Sequence, residues 1–256
     1  VRAGFLLPVN KSIDQDGEWT ALSDGRMMWR LKIETQGAVS TGVLFDQFHL
    51  PEGAELYLYN DDRSFVIGAF TSDNNNLENV FSTHLIPGST VILEYIETPE
   101  NGIVNHPMNP INIKNPTIAE KDISSGGGYK SAAILHISKL MYAYNDDIND
   151  ASKDLGDAGS CMVNINCSPE GLNWQDEKRG VARILFNDGT YMYYCSGTLV
   201  NNTLQNGTPY FLTAYHCGAE FTTHSSWQFY CNYERPWCPN TGTPPTNLIT
   251  GCVKRA

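Results

Sequence analysis

No cysteine occurs in the first 160 residues of this 256-residue chain, whereas residues 161–256 hold all seven. None of the seven sits in a C-x-x-C pair, the short spacing that zinc sites favour. Positive charge is also scarce, with 17 Lys and Arg against 28 Asp and Glu, a net of −11. That balance argues against nucleic acid as a partner, which favours basic patches. No run of about 18 apolar residues is present, so no membrane span is expected. The opening Val1-Arg2-Ala3-Gly4 is neither an initiating methionine nor a signal peptide, and any export signal is expected to have been removed.

Cysteines without metal-type pairing read as disulfides made in an oxidising compartment, which places the protein outside the cell or on its surface. No cofactor is implied. The composition is 41% hydrophobic and 11% aromatic, enough for packed cores. A chain of this length has room for two domains. Twenty-two Gly and 13 Pro, beside many Thr, Tyr and Val, favour short strands and turns. Charge shifts where the cysteines begin. Residues 1–155 carry 11 basic and 21 acidic side chains, a net of −10, and residues 156–256 carry 6 and 7, a net of −1.

The expected fold class is all-β, in three parts: a sandwich or jelly roll over 1–105, a connector over 106–155 and a second β domain over 156–256. In the first part, Met28–Glu34, Ala54–Tyr59, Val66–Phe70 and Thr90–Ile96 read as strands, with Pro51-Glu52-Gly53, Asn60-Asp61-Asp62 and Pro87-Gly88 between them. In the connector, His106-Pro107, Asn109-Pro110 and Asn115-Pro116 disfavour helix, Gly126-Gly127-Gly128 is flexible, and Ala132–Ile137 resembles a strand. The acidic run Asn145–Asp150 could bind a hard cation, but such loops are more often simply solvated. In the third part, Val181–Phe186 and Thr190–Cys195 flank Asn187-Asp188-Gly189, a strong hairpin signal, and Cys195–Val200 and Pro209–Ala214 read as two further strands.

The decisive stretch is Phe211-Leu212-Thr213-Ala214-Tyr215-His216-Cys217. An apolar strand delivers a histidine at its end and a cysteine at once after it. A histidine acting as general base must be held at one depth and angle, and a bridge from the adjoining residue would hold it. Cys195 lies 22 positions upstream, in Cys195-Ser196-Gly197-Thr198-Leu199-Val200-Asn201-Asn202-Thr203.

These residues resemble the first half of a chymotrypsin-fold, trypsin-like serine endopeptidase. The likeness is closer to bacterial lysyl endopeptidases, carried by Gly156-Asp157-Ala158-Gly159-Ser160-Cys161, Cys167, the block from Cys195 to Thr203, the block Tyr210–Gly218, and Asn232, Tyr233 and Cys238. The resemblance implies that 156–256 is the first β-barrel of a chymotrypsin-like double barrel, with His216 as general base. It implies disulfides Cys195–Cys217 and Cys167–Cys238. Cys231 and Cys252 remain nearby and are inferred to pair. A zinc site from Cys231, Cys238, Cys252 and a histidine is the rival reading, disfavoured by spacings of seven and fourteen. Cys161 is then unpaired within this chain.

The resemblance extends to Phe48–Asp61, which looks like the pro-region of the same group. It implies a zymogen whose pro-domain acts as intramolecular chaperone or inhibitor, with processing between Lys153 and Gly156. Protein or peptide substrates cut after lysine are implied. No aspartate follows His216, only Glu220 and Glu234, and no Gly-Asp-Ser-Gly-like elbow is present. The serine and aspartate of a triad are therefore expected beyond residue 256. Ser196 lies in a structural strand motif and is not read as the nucleophile. Two alternatives stay open: a catalytically inactive protease homologue, or a secreted β-sandwich protein for adhesion or binding.

Overall fold

In a computed structural model, the structure describes residues 2–99, 103–105, 110–112, 129–144, 163–218, 220–221, 224–238 and 247–255. The described residues are all-β, with sheets of ten, five and two strands. The strands are β1 (Arg2–Ser12), β2 (Glu18–Ala21), β3 (Met27–Glu34), β4 (Ser40–His49), β5 (Glu55–Tyr59), β6 (Val66–Phe70), β7 (Phe81–Ser82), β8 (Ile86–Pro87), β9 (Thr90–Glu97), β10 (Ile103–Asn105), β11 (Pro110–Asn112), β12 (Ile134–Ala143), β13 (Val181–Asn187), β14 (Tyr191–Val200), β15 (Tyr210–Thr213), β16 (Gln228–Cys231) and β17 (Asn247–Thr250). Contacts divide the chain into two units, Leu7–Leu140 and Val1–Leu6 with Met141–Ala256. The division falls inside β1 and β12.

In the unit Leu7–Leu140, five antiparallel strands run in the order β2-β3-β9-β5-β6. Strict alternation along β9, Thr90 to Glu97, turns Val91, Leu93 and Tyr95 to one side, where each is fully buried. Trp29 and Leu31 of β3 and Leu56 and Leu58 of β5 join them. Val43, Phe45 and Phe48 of β4 and Leu135 and Ile137 of β12 close the core from the other strands. Phe48 stacks on Phe81 with ring centres 4.4 Å apart. The polar handles of two large core rings are satisfied, since Trp29 Nε1 donates to the Asp16 carbonyl at 2.7 Å and the Tyr95 hydroxyl to Glu97 Oε2 at 2.7 Å. The expected strands of this region are all present. The strand expected at Ala132–Ile137 is also present, as β12.

In the other unit, β13 and β14 form the expected hairpin, with Asn187 opposite Met192. The turn is built by Asp188, whose carboxylate accepts the backbone N–H groups of Thr190 at 2.8 Å and Tyr191 at 2.7 Å. Burial raises the Asp188 pKa, but these hydrogen bonds outweigh it and hold the carboxyl below its ordinary value. β13 also pairs with β16, and β16 with β17. The start of β1 lies on β14, pairing Phe5 with Tyr191. One expectation is corrected here. Thr190–Cys195 and Cys195–Val200 are not two strands but one, because nothing at Ser196-Gly197 turns the chain. Gly197 continues the ladder opposite Ala182 and Thr213, and its missing Cβ leaves room for the Phe211 ring.

Candidate functional site

The site is built at the end of β15. Four residues, Tyr210–Thr213, pair with Val200–Gly197 of β14. Thr213 ends the ladder and donates its hydroxyl to the Ser196 carbonyl at 2.8 Å. The chain then closes a turn in which the Cys217 N–H reaches the Ala214 carbonyl at 2.9 Å. That turn puts Ala214, Tyr215 and His216 outward and Cys217 inward, so His216 is exposed while Cys217 is 2% exposed. Cys217 packs among Ala182, Ile184, Phe186, Trp227 and Phe229.

Cys217 is bonded to Cys195, with Cα atoms 5.8 Å apart. Cys195 stands opposite Ile184 on β14 and so points to the core side of the sheet. Ser196, the next residue, points to the other face beside Arg183, away from the bridge. This agrees with reading Ser196 as structural. Gly218 completes the support. Its φ of +91° suits glycine alone, and a Cβ there would stand 2.8 Å from the rings of both Phe186 and Phe221. The backbone carrying His216 thus rests directly on the aromatic cluster.

Among the described residues, no carboxylate makes a hydrogen bond or ion pair with His216. One ring nitrogen of His216 and the sulfurs of Cys195 and Cys217 lie within 4.8 Å of one another. This set does not fit a metal, because both sulfurs are committed to the disulfide and offer no thiolate. Chemically, the arrangement presents one solvent-facing imidazole on a fixed mount.

A second bridge, Cys167–Cys238, joins the segment before β13 to the segment after β16, with Cα atoms 4.5 Å apart. Asn164 and Asn166 reinforce it. Asn164 donates to the Trp237 carbonyl at 2.9 Å and Asn166 to the Arg235 carbonyl at 2.7 Å. Both pairings that the resemblance implied are therefore present.

The inferred pairing of Cys231 with Cys252 is not. Ladder register sets Cys231 opposite Asn247 and Gln228 opposite Thr250, so Cys252 falls beside Ser226. The bond from Gly251 N–H to the Trp227 carbonyl continues that register, and the bond from Cys252 N–H to the His224 carbonyl ties Cys252 to the turn before β16, away from Cys231. Five residues of strand, roughly 17 Å, then separate the two sulfurs' positions along the sheet. Cys231 is a free thiol whose pKa burial pushes up, and the Cys252 Sγ meets the His224 carbonyl at 3.5 Å. The same separation removes the rival zinc set. Cys161, Lys153, Gly156 and the acidic run Asn145–Asp150 lie outside the described residues.

Sequence reasoning missed the aromatic support. Phe186 and Phe221 carry no motif, and only the tight Gly218 hints that something large lies beside it.

Residues 155–256 match the family model described as lysyl endopeptidase, C-terminal domain. No solved structure matches the chain. Two disulfides fit an oxidising compartment. Among the described residues no helix is long and apolar enough to cross a membrane. The matched region contains His216, its mount and both bridges, and over residues 155–256 the chain is similar to the lysyl endopeptidase C-terminal domain, which supports a protease-related function.

Proposed function

We propose that residues 156–256 contribute the histidine of a secreted serine endopeptidase of the chymotrypsin fold, made as a zymogen and cutting peptide bonds after lysine. In this reading His216 takes the proton from a serine hydroxyl as it attacks the carbonyl and returns it to the leaving amine. The serine and the orienting aspartate are assigned to polypeptide beyond residues 1–256, because no elbow motif and no aspartate follow His216 within them. Residues 1–105 act as the pro-domain, an intramolecular chaperone or inhibitor, and processing falls between Lys153 and Gly156.

The observation that carries this reading is the mount of His216. It is an exposed imidazole on a tight turn, locked from behind by Cys195–Cys217, inside the region that matches a lysyl endopeptidase model. An ordinary core histidine would have its ring inside and no need of such a support.

The test is His216→Ala in the secreted enzyme, followed by hydrolysis of a Lys-X peptide and serine labelling with diisopropyl fluorophosphate. The variant should lose kcat/KM by roughly 10⁴ or more with its melting curve unchanged. Full activity in the variant would overturn the assignment. A wild-type protein that neither cleaves nor takes the label would be the inactive homologue instead.

A further inference from the structure

The sheet that carries the His216 mount has a second face. Along β13, Ala182, Ile184 and Phe186 turn toward the aromatic cluster, while Val181 and Arg183 turn the other way. On that opposite side lies a cavity of about 360 Å³. Its volume is that of a small-ligand site. Ile165, Trp174, Val181 and Tyr233 wall it, and Glu177, Lys178, Arg183 and Glu234 supply its charge.

The four charged groups are not equivalent. Lys178 is already spent: its Nζ reaches Glu234 Oε1 at 3.0 Å and donates to Asn166 Oδ1 at 2.8 Å. The Arg183 guanidinium is stacked on the Tyr194 ring at 3.5 Å and the Tyr233 ring at 4.6 Å. Glu177 differs. Among the described residues its carboxylate has no hydrogen bond and no ion pair, the neighbouring pair being Arg179 with Asp176. Trp174 is 56% exposed beside it, an indole open to a guest.

We propose that this cavity binds an organic cation: an alkylammonium or guanidinium group on an apolar stem, as in the basic side chain of a polypeptide. The apolar walls suit the stem. The Trp174 ring offers a π face to the cation. Glu177 neutralises it, and Glu234 lines the same cavity. An anion would meet two carboxylates, and both cations there are already engaged. The inference does not depend on what His216 does.

The experiment uses the full 256-residue chain labelled with ¹⁵N, reading the indole N–H signal of Trp174, which is identified by its loss in Trp174→Phe. Three probes of equal carbon count are titrated at constant ionic strength: n-pentylammonium, 1-pentanol and pentanoate. Pentylammonium should saturate the signal at least ten-fold more tightly than pentanol, and pentanoate should not saturate it. Glu177→Gln, at an exposed surface position, should weaken pentylammonium at least five-fold and leave pentanol unchanged. The proposal is overturned by saturation with pentanoate, by equal binding of pentanol, by unchanged pentylammonium affinity in Glu177→Gln, or by a Trp174 signal that no probe moves.

Discussion

Gly218 lies against Phe186 so closely that a Cβ on the glycine would stand 2.8 Å from two atoms of the ring. The same residue holds a φ of +91°, so two independent constraints select glycine at the position that follows the bridged Cys217. Gly218→Ala should therefore destabilise the Cys-rich unit by roughly 2–4 kcal/mol, combining overpacking with left-handed backbone strain. Thermal unfolding of the variant checks this. A melting temperature equal to wild type would mean that the turn can move off the ring without cost.

The two disulfides close loops of different length, 22 and 71 residues of separation. Chain-entropy estimates give about 3 kcal/mol for Cys195–Cys217 and about 4 kcal/mol for Cys167–Cys238. Removing each pair by double substitution with alanine should thus lower the urea midpoint more for the longer loop. The reverse order would point to native-state packing of Cys217, which is deeply buried, as the larger contribution.

Peptide mapping without reduction gives a direct check on connectivity. Digestion of the native chain should release Cys195 linked to Cys217 and Cys167 linked to Cys238, and no peptide linking Cys231 to Cys252. Recovery of a 231–252 link would contradict the ladder register between β16 and β17.

His84 provides a pH dependence with a definite sign. Burial near Phe70 pushes its pKa from 6.5 down to about 4. Between those values the unfolded chain binds the proton and the folded chain does not, so stability rises with pH across that window. The contribution is fully present above the unfolded pKa and is lost as pH falls toward 4, about 3 kcal/mol in all. Urea unfolding at several pH values, for wild type and His84→Gln, isolates it. The stability difference between the two should shrink as pH drops from 6.5 to 4, and a constant difference would show that His84 is charged or hydrated in the fold.

Much of the fold was legible because period-two alternation and turn residues coincide. β3, β5 and β9 alternate, β6 is a short apolar run, all four are bounded by Gly, Pro, Asn or Asp, and the hairpin at Asn187-Asp188-Gly189 carries its own signal. β1 was not legible. Pro8 stands inside it, which ordinarily demotes a run, and its two halves serve different units. β4 was obscured for another reason. Ser40 to Phe45 are all buried, so no polar alternation marks a face. The site divides in the same way. His216 and its bridge could be found from a local motif. The Phe186 and Phe221 shelf, and the register that parts Cys231 from Cys252, arise from pairing between segments, which spacing along the chain does not encode.

The bridge between Cys195 and Cys217 also audits the β13–β14 hairpin. Side chains alternate along β14, so a slip of one residue in its pairing would turn Cys195 to the opposite face, where Ser196 now points. Cys217 could not then reach it. Oxidation at this position therefore selects against one-residue slips of the rung shared by Ile184 and Cys195, and a chain that has formed the bond carries a covalent record of which face of β14 was turned to the core.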